Sequence, residues 1–165
     1  MGQKGLGLKI RLGTPEDYPA ALAIQRRAYE LKEAPLYGQN IPPMQETPET
    51  LAAEIAGGKQ LLVCECCGRL TASLRMRVRE DGSVYFGRLS VDPDLQGMGI
   101  GQKMTLAVEE FNPEATEFYL DCGERSDENR HIYGKLGYQV TGREHDVPGG
   151  PHCVEMKKTR VLQQA

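Results

Sequence analysis

The sequence contains no tryptophan, and no apolar run approaches the ~18 residues that a membrane span needs. Its N-terminal segment holds no apolar core of the length that a secretory signal peptide requires. The five cysteines are an odd number without a paired framework, which is typical of reduced thiols in a cytosol. We therefore expect a cytoplasmic protein with no membrane partner.

An excess of basic charge is also missing. The formal net charge of −3 argues against nucleic acid or an acidic membrane surface as the main partner. The chain of 165 residues is 39% hydrophobic and 26% charged, as in ordinary globular proteins. This length is enough for one domain with a buried core, so we expect residues 1–165 to form a single domain.

The most informative stretch covers residues 89–111. An apolar strand ends near Val91, the chain breaks at Asp92-Pro93, and an amphipathic helical pattern follows. Between them lie three glycines at alternate positions, namely Gly97, Gly99 and Gly101. Glycine lets the backbone approach a ligand closely, and the N–H groups at a helix start favour negative charge. This arrangement predicts a phosphate-binding site.

Several kinds of glycine loop compete for this interpretation. A nucleotide-triphosphate loop ends in Gly-Lys-Ser or Gly-Lys-Thr, whereas residues 101–104 read Gly-Gln-Lys-Met. A dinucleotide loop needs a glycine where Gln102 stands, although Asp121, about 20 residues further on, would suit the ribose. A glycine-rich turn with no ligand is the remaining simple alternative.

The motif Gln96-x-x-Gly99-x-Gly101 resembles the (Gln/Arg)-x-x-Gly-x-(Gly/Ala) signature of the Gcn5-related N-acetyltransferases, the GNAT family. In that family the loop grips the pyrophosphate of acetyl-coenzyme A. The resemblance covers nearly the whole chain in element order. It implies an α/β (α+β) fold with a mixed, mostly antiparallel sheet of about seven strands, flanked by about four helices. The fourth and fifth strands of this fold splay apart.

A second motif lies downstream. Ser126 is a good N-cap and Gly137 a good helix terminator, and Ser126, Asn129 and Tyr133 fall on one helix face. The segment Tyr133–Tyr138 resembles the family pattern Tyr-x-Lys-x-Gly-(Phe/Tyr), in which the tyrosine protonates the departing thiolate. The family often has Asn where Ser126 stands. The alternative for Tyr133 is a tyrosine packed in the core.

The resemblance implies a set of site residues. The backbone N–H groups of Leu89 and Val91 would face the pantetheine arm and the thioester. The predicted acetyl-coenzyme A contacts are Leu89, Val91, Gln96, Gly97, Met98, Gly99, Ile100, Gly101, Gln102, Ser126, Asn129 and Tyr133. The base that takes the amine's proton is left open among Tyr85, Glu80, Glu124, His152 and water. Tyr133, Tyr85 and Glu80 are the predicted catalytic residues, and no metal site is expected.

The predicted activity is transfer of an acetyl group from acetyl-coenzyme A to a primary amine, by direct attack through a tetrahedral intermediate. The acceptor would be a small molecule or a peptide, and a homodimer is left open. Two other functions also stay open. A NAD(P)-dependent oxidoreductase would use the glycines with Asp121, and a sensor would bind acetyl-coenzyme A without turnover.

Three expectations concern other segments. A helix is expected from Thr14 to about Tyr29, followed by a non-periodic connection over residues 30–46. In the GNAT fold this region covers the acceptor, so the resemblance makes Tyr37 a candidate substrate contact; an exposed loop with one packed tyrosine is the alternative. Residues 70–79 alternate as a strand. Three of its polar positions are arginines, and we expect them on a solvated sheet face rather than facing an acidic substrate.

Overall fold

The computed structural model describes residues 7–162. Its seven strands are β1 Leu8–Leu12, β2 Gln60–Cys66, β3 Arg69–Val78, β4 Val84–Val91, β5 Glu117–Gly123, β6 Gln139–Asp146 and β7 His152–Thr159. Its six α-helices are α1 Tyr18–Lys32, α2 Ala34–Tyr37, α3 Pro42–Gln45, α4 Pro48–Ala56, α5 Ile100–Glu110 and α6 Asp127–Lys135. No helix in the described part of the chain is long and apolar enough to cross a membrane.

The strands form one sheet in the order β1-β2-β3-β4-β5-β7-β6. All neighbouring pairs are antiparallel except β4 and β5, which run parallel. That parallel pair is short, since only Val84 with Phe118 and Tyr85 with Tyr119 are in register. Beyond Tyr85 the two strands separate, which confirms the expected splay and leaves one edge of β4 open.

Helices cover both faces of the sheet. The main core lies between the sheet and α5, where alternate residues of β3 such as Leu74 and Met76 pack with Met104. On the opposite face, Leu61 and Val63 of β2 pack with Ala21 of α1. Different helices therefore cover the two faces. The helix α5, with the glycine loop before it, packs on one face, and α1 and α4 pack on the other.

The expectation of a solvated arginine face on β3 was wrong for Arg75. Its side chain is only 4% exposed, because it lies beneath α1 and α4. Its guanidinium contacts Glu46 at 2.8 Å and Glu54 at 3.0 Å, and it donates to Gln25 Oε1 at 2.8 Å. Period-two alternation shows which residues share a face, but it does not show whether a helix covers that face.

The segment before α4 also differs from the expectation. Residues 15–17 form a 3-10 turn, α1 begins at Tyr18, and it runs on to Lys32. The connection after α1 contains two single-turn helices, α2 and α3, with Ile41 buried between them. A four-residue helix is too short to show the helical period in a sequence.

Candidate active site

A cavity of about 460 Å³ lies where β4 and β5 separate. The glycine loop, α6, α1 to α3 and the β6–β7 connection all contribute residues to its wall. Of the predicted coenzyme contacts, all except Met98 line this cavity. Met98 is 43% exposed on the outer side of the loop. The sheet thus brings two motifs that are distant in sequence to one place.

The glycine loop presents an open backbone surface. Gly97 and Gly99 have φ angles of 84° and 80°, and no described atom lies within 4 Å of where a Cβ would stand on either. Gly99 is the N-cap of α5, so the unpaired N–H groups of the first helical turn lie beside it. Gln96 Nε2 donates back to the Val91 carbonyl at 3.4 Å, which ties the loop to the end of β4. An open backbone surface beside a helix N-terminus is suited to an anionic group.

The end of α6 provides a phenol to the same cavity. Tyr133 is partly buried, and its ring lies edge-on to that of Tyr138 with centroids 6.1 Å apart. Its hydroxyl makes no hydrogen bond with any residue in the described range 7–162. Burial raises the pKa of Tyr133 well above its ordinary value. The hydroxyl therefore keeps its proton at neutral pH and is available to donate it.

The N-terminal turn of α6 is engaged with the end of α1. Ser126 Oγ donates to Glu33 Oε2 at 2.9 Å, and Asn129 Nδ2 donates to Glu33 Oε1 at 2.9 Å. Ser126 occupies the expected N-cap position, but its side chain bonds Glu33 and Tyr37 instead of capping the helix. Burial raises the pKa of the Glu33 carboxyl, although the hydrogen bonds from Ser126 and Asn129 oppose the rise. No local sequence signal indicates Glu33.

Tyr85 and Asp121, which also line the cavity, form a hydrogen-bonded pair. The Tyr85 hydroxyl donates to Asp121 Oδ2 at 2.5 Å, and His145 Nε2 lies 3.9 Å from the same oxygen. Burial raises the pKa of Tyr85 above its ordinary value, and the hydrogen bond to Asp121 adds to the rise. Because Tyr85 is the donor, the carboxylate of Asp121 is the proton acceptor of this pair. The sequence singled out Asp121 only for a ribose contact.

The other predicted bases lie outside the cavity. Glu80 is exposed in the turn between β3 and β4, and Glu124 is exposed after β5. His152 contacts Glu144 at 2.6 Å and Asp146 at 2.8 Å. Hydrogen bonds to these carboxylates raise the pKa of His152 to about 9. His152 is therefore protonated at neutral pH and cannot accept a proton there.

A sequence model of the family described as acetyltransferase (GNAT) domain matches residues 31–160. The chain belongs to the GNAT acetyltransferase family. This membership confirms the predicted acyl-CoA-dependent N-acetyltransferase activity, in which acetyl-coenzyme A is the acyl donor and an amine is the acceptor. It sets aside the dinucleotide oxidoreductase, whose site needs a largely parallel sheet. No match was found among curated protein sequences.

Solved structures with the same fold include three proteins described as acetyltransferases. The PaiA N-acetyltransferase of Thermoplasma acidophilum, solved with coenzyme A, has a TM-score of 0.79 at 18% identity, covering 92% of this chain and 98% of that one. The ribosomal-protein-S18-alanine N-acetyltransferase of Escherichia coli has a TM-score of 0.71 at 16% identity, covering 95% and 96%. YncA of Salmonella typhimurium, solved with acetyl-coenzyme A, has a TM-score of 0.68 at 17% identity, covering 96% of each chain. At these identities the likeness establishes the fold.

The GNAT fold accounts for the shape of the cavity in this acetyltransferase. The unpaired edge of β4 beyond Tyr85 carries Leu89 and Val91, the predicted donors to the pantetheine arm. Both side chains pack near Gly101 of α5, at 3.9 Å and 3.6 Å from where its Cβ would stand. This packing places the glycine loop directly against the open strand edge. Among residues 7–162, no group of three or more His, Cys, Asp or Glu side chains is arranged to hold a metal ion.

Proposed function

We propose that this acetyltransferase uses Tyr133 as the general acid and the Tyr85–Asp121 pair as the acceptor of the amine's proton. The observation that carries the proposal is that these groups face one cavity at the splay, the phenol unbonded and the carboxylate already oriented. Tyr133 would donate its proton to sulfur as the carbon–sulfur bond breaks. General acid catalysis of this kind typically contributes ~10²–10⁴-fold.

The coenzyme side of the cavity is proposed to work through backbone groups. The N–H groups at residues 97–101 would bind the pyrophosphate, since Gly97 and Gly99 leave the loop surface open. Leu89 and Val91, on the unpaired edge of β4, would donate to the pantetheine arm and to the oxygen of the thioester. A donor to a developing oxyanion typically contributes ~3–4 kcal/mol to the barrier.

The acceptor side needs a base because only a neutral amine can attack the thioester. Asp121 is 19% exposed, and Tyr85 uses only one lone pair of its Oδ2 atom. The remaining lone pairs would take the amine's proton, directly or through one water. The hydrogen bond from Tyr85 orients this carboxylate toward the cavity.

The test is the release of free thiol from acetyl-coenzyme A with a panel of primary amines, comparing Asp121→Asn with Glu80→Gln. We expect Asp121→Asn to lower kcat/KM for the acceptor by at least ~100-fold at neutral pH. Glu80→Gln removes an exposed carboxylate outside the cavity and should leave the rate unchanged. Equal rates in wild type and Asp121→Asn would exclude Asp121 as the base. Binding of acetyl-coenzyme A without thiol release for any amine would instead favour a non-catalytic sensor.

We also propose that the protein acts in the cytoplasm. Cys122 and Cys153 are buried thiols, and burial raises their pKa to about 12 and about 11 respectively. Protonated, buried thiols fit a reducing compartment. Fractionation with an antibody against the native protein would test this.

A further inference from the structure

We propose that the acceptor of this acetyltransferase carries a carboxylate beside its amine, and that Arg88 binds this carboxylate. The inference rests on the proposed function, because it takes the acceptor amine to lie at Asp121. It narrows the acceptor from any primary amine to an amino acid or a similar amino carboxylate.

Arg88 occupies an unusual backbone position in β4. The register between β3 and β4 shifts there, since Arg75 pairs with Gly87 while Ser73 pairs with Ser90, which leaves one extra residue in β4. Arg88 itself has a φ of 56°. Non-glycine residues rarely adopt this left-handed region, because their Cβ atom crowds the following carbonyl oxygen. The bulge places Arg88 in the wall of the cavity.

The guanidinium of Arg88 is held at one end and open at the other. Its Nε donates to Glu46 Oε2 at 3.2 Å, and Glu46 is itself fixed by Arg75 and by Gln25. The terminal nitrogens Nη1 and Nη2 donate to no residue within the described range 7–162. The side chain is 33% exposed, and its terminal nitrogens carry four N–H groups. A planar fork held in this way matches the two oxygens of a carboxylate.

The neighbours of Arg88 place it on the acceptor side. Leu89 and Val91 pack toward Gly101 and the glycine loop, whereas Arg88 bonds Glu46 on the face covered by α1 and α4. The positive charge of Arg88 opposes the rise in pKa of Tyr85 and of Cys153. The charge of Arg88 is therefore close enough to the Tyr85–Asp121 pair to influence it electrostatically.

The other charged groups of the cavity wall are less suited to recognise the acceptor. Lys32 contacts Glu128 at 3.6 Å, with both side chains largely exposed. Glu33 has each oxygen bonded, to Ser126 or to Asn129, and burial raises its pKa toward the neutral form. A second ammonium group on the acceptor would therefore meet a Glu33 carboxyl whose two oxygens already accept hydrogen bonds. The open cation of Arg88 beside the carboxylate of Asp121 favours a zwitterionic acceptor instead.

The experiment compares the twenty amino acids with their carboxamides and with simple diamines as acceptors, in wild type, Arg88→Met, Arg88→Lys and Arg77→Met. In wild type we expect at least one amino acid to exceed its carboxamide by ~10-fold or more in kcat/KM. Arg88→Met should bring this ratio toward one by raising KM for the amino acid, with the affinity for acetyl-coenzyme A unchanged. Arg88→Lys keeps the charge but loses the fork, so its ratio should be intermediate. Arg77 is exposed on β3 and donates to the Gly57 carbonyl, so Arg77→Met should keep the wild-type ratio.

Carboxamides or diamines that equal the best amino acid in wild type would overturn the inference, as would an unchanged ratio in Arg88→Met. Calorimetry of amino-acid binding to the coenzyme A complex distinguishes failure of this inference from failure of the proposed function. If no amine releases thiol, binding of an amino acid to wild type but not to Arg88→Met would still support recognition by Arg88. Absence of amino-acid binding to a wild-type protein that binds coenzyme A would refute it. Matching melting temperatures of wild type, Arg88→Lys and Arg88→Met would show that folding is not the cause.

Discussion

Two tyrosines near the end of α6 illustrate how a hydroxyl acquires a role from its surroundings. Tyr133 and Tyr138 lie edge-on to each other, and both resemble positions of the family pattern. Tyr133 lines the cavity, while Tyr138 is 2% exposed and also packs edge-on to Phe86 in the core. The same side chain is therefore a proposed proton donor at one position and a packing residue at the other.

Tyr133→Phe keeps the aromatic ring and removes only the proton. We expect the single-turnover rate of acetyl transfer to fall at least ~10-fold, because the thiolate would leave without a general acid. Coenzyme affinity and melting temperature should stay close to those of the wild type. Rapid-quench measurements at saturating acetyl-coenzyme A are the test. An undiminished single-turnover rate would mean that another group or water protonates the thiolate.

Tyr138→Phe is the matched control, and we expect it to change stability and not activity. Among the buried side chains of residues 7–162, the hydroxyl of Tyr138 is the one without a hydrogen-bond partner. Leaving a buried polar group unpaired costs about 1–3 kcal/mol. Tyr138→Phe should therefore keep activity and raise the free energy of unfolding by up to about 1 kcal/mol. Urea denaturation measures this, and a clear loss of stability would show that the hydroxyl has a partner in solution.

His152 predicts a dependence on pH. Its carboxylate neighbours raise its pKa from 6.5 to about 9, so the protonated form is favoured in the folded chain. The stabilisation is fully present below pH 6.5 and is lost as the pH rises through about 9. NMR titration should give a midpoint near 9, and Glu144→Gln should lower it because that carboxylate is the largest contributor. A midpoint near the ordinary value would show that these contacts do not persist in solution.

At the scale of elements, the glycine loop and α5 act as one unit. Gly99 is the left-handed N-cap of α5, and a glutamate there would add negative charge at the proposed pyrophosphate site. Gly99→Glu should weaken acetyl-coenzyme A binding by at least ~100-fold in calorimetry. Gly82→Glu is the control, since Gly82 has a φ of 86° in the distant β3–β4 turn with nothing within 4 Å of its Cβ position. Unchanged affinity in a folded Gly99→Glu protein would exclude the loop as the binding site.

A buried cation joins the helices to the sheet. Arg75 links β3 to Gln25 of α1, to Glu46 and to Glu54 of α4. Removing one member of a buried ion pair typically costs about 3–5 kcal/mol, because the remaining charge is left without its partner. We expect Arg75→Leu to destabilise the protein by about that amount in urea denaturation. Arg77→Leu, two residues along the same strand and exposed, should change stability by less than about 0.5 kcal/mol.

At the scale of the whole molecule, the splay between β4 and β5 determines where chemistry can occur. Only two residue pairs hold the strands together, so the sheet stays continuous at one end and opens at the other. The glycine loop, α6 and the Tyr85–Asp121 pair all meet at the open end. A position on the C-terminal side of parallel strands is where open α/β sheets generally bind ligands.

The sequence by itself determined the elements with strong local signals. The β3 alternation and the glycine loop before α5 are both present. These signals are local because neighbouring residues in a helix or strand carry them. The two family motifs were enough to indicate the family and the acyl donor.

Tertiary structure alone decided which side chains meet. Glu33 reaches Ser126 across 93 positions, and Arg75 is buried because α1 and α4 cover its face. Asp121 was considered only for a ribose, yet the splay sets it against Tyr85. The bulge that turns Arg88 into the cavity depends on the register between β3 and β4. Contacts between distant segments leave no periodic pattern in the sequence. The spacing of residues within a helix or strand shows which of them share a face, but not which distant segment will pack against that face.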